Sequence, residues 1–95
     1  MPELLSSESL AAALTTLEGW DGGNGGIHRS ITAASFPAAI QLVNEVAKVA
    51  EEMNHHPDID IRWRTVHFRL STHSLGGVTD LDIELARRID ALVNR

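Results

Sequence analysis

The spacing of apolar side chains changes twice along this chain, and that change limits the folds open to it. From Phe36 to Met53 they recur at helical spacing. Phe36, Ile40, Val43, Ala47 and Ala50 form one stripe, and Leu42, Val46, Val49 and Met53 widen it. From Asp58 to Trp63 the period drops to two, with Ile59, Ile61 and Trp63 opposite Asp58, Asp60 and Arg62. Residues 66–72 alternate again, with Val66, Phe68 and Leu70 opposite His67, Arg69 and Ser71. Arg64 and Thr65 read either as a tight link between two strands or as part of one long bent strand. Helical spacing returns over residues 80–93 through Leu85, Ala86, Ile89, Leu92 and Val93. A helix, a strand pair and a second helix therefore follow one another within 95 residues.

The first third of the chain carries a similar pattern. Leu10, Ala13, Leu14 and Leu17 predict a helix over residues 4–17, capped by Ser6 or Ser7 and ended at Gly19. Residues 20–33 predict a hairpin around Asp21-Gly22-Gly23-Asn24-Gly25-Gly26, with Ile27, Arg29 and Ile31 alternating against His28, Ser30 and Thr32. The glycine run lacks the lysine and the following helix of a phosphate-binding loop, so a flexible hairpin tip is expected. Ser35 can cap the long helix, with Pro37 in its first turn. Thr79 and Asp82 match a capping box for the last helix. The expected architecture is an α+β two-layer sandwich: β-β-α-β-β-α with an extra N-terminal helix. A four-stranded antiparallel sheet packs against the helices, one face is left open, and the whole forms one domain over residues 1–95.

Composition narrows the function. The absence of cysteine excludes a disulfide scaffold, a thiolate metal site and a cysteine nucleophile. A net charge of −5 argues against nucleic-acid binding, although Arg62, Arg64 and Arg69 cluster locally. Glu3 and Glu8 stand where a signal peptide would be basic, and no long apolar run follows, so the expected setting is the cytoplasm without a membrane.

Chemistry gathers around the histidines. His55 and His56 precede Pro57 at the start of the strand pair, and His73 closes it. Antiparallel strands bring these ends together. Glu51 lies one helical turn before His55 and can reach it if the helix persists. Imidazoles titrate near neutrality, so two or three together can share general acid and base roles. The spacing matches no common zinc motif, and no metal is expected. Read singly, Trp20 and Trp63 are core or interface residues, Asp82 is a helix cap, His67 is solvated and His28 has no specific role. Glu51 and Glu52 sit at a helix C-terminus, where the dipole disfavours acids, which points to another purpose.

Glu51-x-x-x-His55-His56-Pro57, then Trp63 after five residues, His73 after nine more and Asp82 after eight more, resembles the signature of the pterin-4a-carbinolamine dehydratases. The segments MNHHPDI at 53–59 and THSLGGVT at 72–79, and the pair Gly19-Trp20, are similar as well. The resemblance implies two hairpins, each followed by a helix. It also implies a lyase that removes water from 4a-hydroxytetrahydrobiopterin without a cofactor. It makes His55, His56 and His73 the catalytic set, with Glu51 and Asp82 in support. Trp20, Pro57, Thr72, Ser74 and Leu75 would contact the pterin. It further implies a homodimer or homotetramer that binds no nucleic acid directly. Some relatives act as non-catalytic assembly factors or dimerisation cofactors of a transcription factor, which is the alternative function. Leu81, Ala33, Trp63 and the glycine-rich loop 21–26 depart from the common pattern, and bear on substrate affinity and pocket shape.

Overall fold

A computed structural model describes residues 2–94. Its elements are α1 (Ser7–Leu14), β1 (Asp21–Gly23), β2 (Gly26–Thr32), α2 (Phe36–Met53), β3 (Asp58–Arg62), β4 (Thr65–Leu70), a one-turn 3-10 helix (His73–Leu75) and α3 (Asp80–Val93). The strands form one antiparallel sheet in the order β1-β2-β4-β3. Among the described residues, no helix is long and apolar enough to cross a membrane.

Local chemistry sets the helix boundaries. The Ser35 hydroxyl accepts the Ala38 N–H at the start of α2, so this helix begins where expected. At its end, Asn54 adopts the left-handed conformation. The Asn54 N–H then reaches the Glu51 carbonyl, and the His55 N–H reaches that of Ala50. This Schellman-type closure satisfies the last carbonyls and turns the chain sharply. The capping box of α3 is present: the Asp82 carboxylate accepts the Thr79 N–H at 2.9 Å, and the Thr79 hydroxyl accepts from Leu81 at 3.2 Å. Helix α1 is shorter than predicted. Ser6 caps it, and beyond Leu14 the chain tightens into turns, with the Thr16 and Leu17 N–H groups bonded to the Ala13 and Leu14 carbonyls, while Leu17 stays buried.

Strand register decides which residues meet. Ile27, Arg29 and Ile31 lie opposite Leu70, Phe68 and Val66, and on the other side Phe68 and Val66 pair with Ile59 and Ile61 of β3. This side of the sheet carries the core, where Val46 and Ala50 of α2 and Leu85, Ala86 and Ile89 of α3 are buried with Ile27, Phe68 and Leu70. The opposite side is polar and bears no helix. Asp21, His28, Arg69 and Asp58 form one row across all four strands, and Ser30, His67 and Asp60 form the next. His67 is half-buried there, its Nδ1 bonded to Ser30 Oγ at 2.6 Å, not freely solvated as the alternation alone suggests.

Within this chain one side of the α2 stripe is covered: Ala39, Val46 and Ala50 face the core, while Phe36, Ile40 and Ala47 are exposed. The structure corrects three further expectations. The glycine-rich tip is not free, because the Asn24 carbonyl accepts the Val78 N–H at 3.0 Å and its positive φ falls on Gly22. The second strand pair is linked by Trp63-Arg64 rather than by Arg64-Thr65, because Arg62 pairs with Thr65. Trp63 therefore leaves the strand, takes φ 53° and is 87% exposed instead of joining the face of Ile59 and Ile61. A two-residue hairpin favours positive φ there, and a bulky L-residue adopts it at a cost that glycine avoids. With no packing to lose, Trp63→Gly should stabilise the fold by about 1 kcal/mol. Urea denaturation checks this, and a loss of stability would contradict it.

Candidate active site

His55, His56 and His73 come together at one end of the β3–β4 pair. The cleft between them has a volume of about 250 Å³ and is lined by Asn54 to Asp58 and by Ser71 to Ser74. Each histidine reaches it by a different route. The left-handed turn at Asn54 aims His55 inward, so that the residue is only 9% exposed. His56 follows on the outer side, its side chain 58% exposed. His73 opens the one-turn helix beyond β4, where the Thr72–Gly77 bridge brings the chain back on itself.

The carboxylates are distributed differently from the sequence expectation. Because the helix ends at Asn54, Glu51 is not one helical turn below His55. Its Oε2 meets His56 Nε2 at 2.5 Å instead. This is the use of an acid at the end of α2; its neighbour Glu52 lies 3.4 Å from Arg88 of α3. His55 Nε2 meets Asp82 Oδ1, also at 2.5 Å.

Asp82 is completely buried, and its other oxygen, Oδ2, accepts from the Thr72 hydroxyl at 2.9 Å and from the Thr79 N–H. The Thr72 and Thr79 hydroxyls are themselves 2.8 Å apart. The residue read as a helix cap is thus also the partner of a histidine. An ionised carboxylate accepts only. The bond to Asp82 therefore requires a proton on His55 Nε2 and leaves Nδ1 with its lone pair when the ring is neutral. The same logic holds for His56 against Glu51. Such rings are held in one tautomer and can take up and return a proton. Among the described residues, no group of three or more His, Asp and Glu has an arrangement suited to a metal ion.

The chain matches a known family over nearly its whole length. The family model described as pterin 4 alpha carbinolamine dehydratase matches residues 3–92. The chain belongs to this family. It is 60% identical over 90 residues to a Nocardia farcinica protein whose name assigns it, provisionally, to the pterin-4-alpha-carbinolamine dehydratases, covering 95% of each chain. A Mycobacterium tuberculosis relative with the same provisional name is 53% identical over 89 residues, covering 94% of this chain and 95% of that one. The crystal structure of a transcriptional coactivator/pterin dehydratase from Brucella melitensis superposes with a TM-score of 0.89 at 35% identity, covering 94% of this chain and 97% of that one. A pterin dehydratase-like protein identified as a RuBisCO assembly factor in the alpha-carboxysome shares the fold at 23% identity, with a TM-score of 0.63 over 77% of this chain and 84% of that one.

Not every residue expected at a pterin dehydratase site lies on this cleft. Pro57, Thr72 and Ser74 line it with the histidines, whereas Leu75 and Trp20 do not. Leu75 closes the one-turn helix and is exposed. Trp20 is buried in the core, its indole N–H donating to Asp90 Oδ1 at 2.8 Å. The same oxygen takes Arg29 Nη1 at 2.6 Å, so Trp20 joins the first hairpin to α3. Gly19 is needed beside it, since its φ is 88° and a Cβ there would come within 2.9 Å of Arg29 Nε. Asn54, Asp58 and Ser71 also line the cleft, although the sequence reading did not single them out. The helix-ending role of Asn54 was legible in principle, since asparagine tolerates the left-handed conformation.

Truncating Asp82 tests the linkage between site and fold. Asp82→Ala removes the acceptor for His55, Thr72 and the Thr79 N–H in one step and leaves buried donors unsatisfied. The expected loss is about 3 kcal/mol, read as a lower urea midpoint. Glu51→Ala, whose side chain is 75% exposed, should leave the midpoint within error.

Proposed function

We propose that the cleft catalyses the dehydration of 4a-hydroxytetrahydrobiopterin to quinonoid dihydrobiopterin and water, in tetrahydrobiopterin recycling, by histidine general acid–base catalysis. The observation that carries this reading is the convergence of three imidazoles on one cleft, two of them already bonded to carboxylates. The match to the dehydratase family supports the substrate class.

The reaction needs two proton transfers and no redox partner. A protonated imidazole gives its proton to the 4a-oxygen, since hydroxide leaves poorly. As the C4a–O bond breaks, a neutral imidazole takes the proton from N5, and the electrons of that N–H bond form the C4a=N5 double bond. Water departs, and the two histidines exchange protonation states. Solvent then resets them, which the exposure of His56 and His73 permits. No cofactor enters this scheme. The cleft is smaller than the ~300–1,000 Å³ of drug-sized pockets. A single pterin bicycle therefore suits it, with its substituent outside. A cytoplasmic homo-oligomer accords with this reading, and the exposed Phe36 and Ile40 on α2 support the association of copies.

The purified protein should accelerate loss of water from the 4a-carbinolamine, followed by ultraviolet absorbance. His73→Ala, or His55→Ala with His56→Ala, should cost about 10²–10⁴-fold in rate, the usual share of a general acid or base. If the wild-type protein performs no better than buffer, a non-catalytic dimerisation, assembly or transcription-cofactor role replaces this reading.

A further inference from the structure

His55 and His56 each hold a carboxylate, and a third acid completes the series. His73 Nε2 lies 3.7 Å from Asp58 Oδ2, and both residues line the cleft. We propose that Asp58 is the positioning residue of His73: it accepts the Nε2 proton, fixes the ring over the cleft and leaves Nδ1 to exchange a proton with the substrate. This inference rests on the acid–base reading of the cleft given above.

Three observations carry it. First, His73 needs an anchor. Its side chain is 68% exposed, and it sits on a one-turn helix that no side chain caps. A freely rotating imidazole loses most of the benefit of proximity. Second, the other acids near the cleft are engaged elsewhere. Asp82 holds His55, Glu51 holds His56, and Asp60, two residues along β3, holds Arg62 at 3.3 Å.

Third, the natural competitor for Asp58 is drawn away. Arg69 lies directly across the β3–β4 pair from Asp58. Its guanidinium instead turns towards β2, where Nη2 donates to the Gly25 carbonyl at 3.4 Å. It lies over Gly26, and a Cβ at that position would come within 2.7 Å of Nη1. The missing side chain at residue 26 therefore keeps Arg69 off Asp58, and Asp58 remains with His73. A separation of 3.7 Å is an ion-pair distance rather than a hydrogen bond. Catalytic contacts of this kind commonly shorten when substrate binds.

The test uses the whole protein and two readouts. An exposed pair contributes little to stability, so Asp58→Ala should melt with the wild type. It should lower kcat about tenfold with KM within about twofold, because orientation rather than binding is lost. Asp58→Glu should recover most of the rate. In a His73→Gln background, Asp58→Ala should have no further effect. Gly26→Ala, which displaces Arg69 towards Asp58, should also lower kcat, and adding Arg69→Gln should restore it.

The second readout needs no substrate. Carbon-13 relaxation of the His73 ring should show larger-amplitude motion in Asp58→Ala than in the wild type. Unchanged ring motion, or a change in KM with kcat intact, overturns the assignment. Ring motion released in the variant of a wild-type protein without dehydratase activity would uphold the pairing and remove the dehydratase reading alone.

Discussion

The structure depends on one buried carboxylate. Asp82 stands in the first turn of α3 with no exposed surface, and it binds the Thr79 N–H, the Thr72 hydroxyl and His55 together. Those partners come from the segment before α3, the end of β4 and the end of α2. A buried charge is tolerated only when its acceptor positions are filled, because desolvation otherwise outweighs the gain. The same bonds that start the last helix therefore dock the end of the longest one, and they orient the innermost histidine.

From that point the cleft grades outward. His55 is packed and bonded to a buried acid, His56 is bonded to an exposed one, and His73 faces an acid at longer range. Solvent exposure thus rises from His55 to His56 and His73. A second clamp ties the first hairpin to α3, where Asp90 binds both Trp20 and Arg29. Trp20 is buried in the core and does not line the cleft.

Much of the fold was legible because local chemistry and global packing agree. The starts of α2 and α3 follow from Ser35 and Thr79, whose caps form as their side chains predict. Alternation identified the strands, and hairpin geometry made them antiparallel. Trp63 misled because a periodic pattern does not report where a strand ends: its place in the alternation suggested burial, while the pairing of Arg62 with Thr65 put it at the turn. The α2 stripe shows a related limit, since periodicity gives a face but not what covers it.

The sequence by itself determined the layered α+β architecture, the gathering of His55, His56 and His73 at one end of a strand pair, and the family to which they belong. These rest on spacing and on signals carried within a few residues. Only the tertiary structure decided which acid serves which histidine. Pairing across elements depends on the direction in which the chain leaves a helix. One left-handed residue, Asn54, moved Glu51 from His55 to His56 and left His55 to an aspartate on another helix.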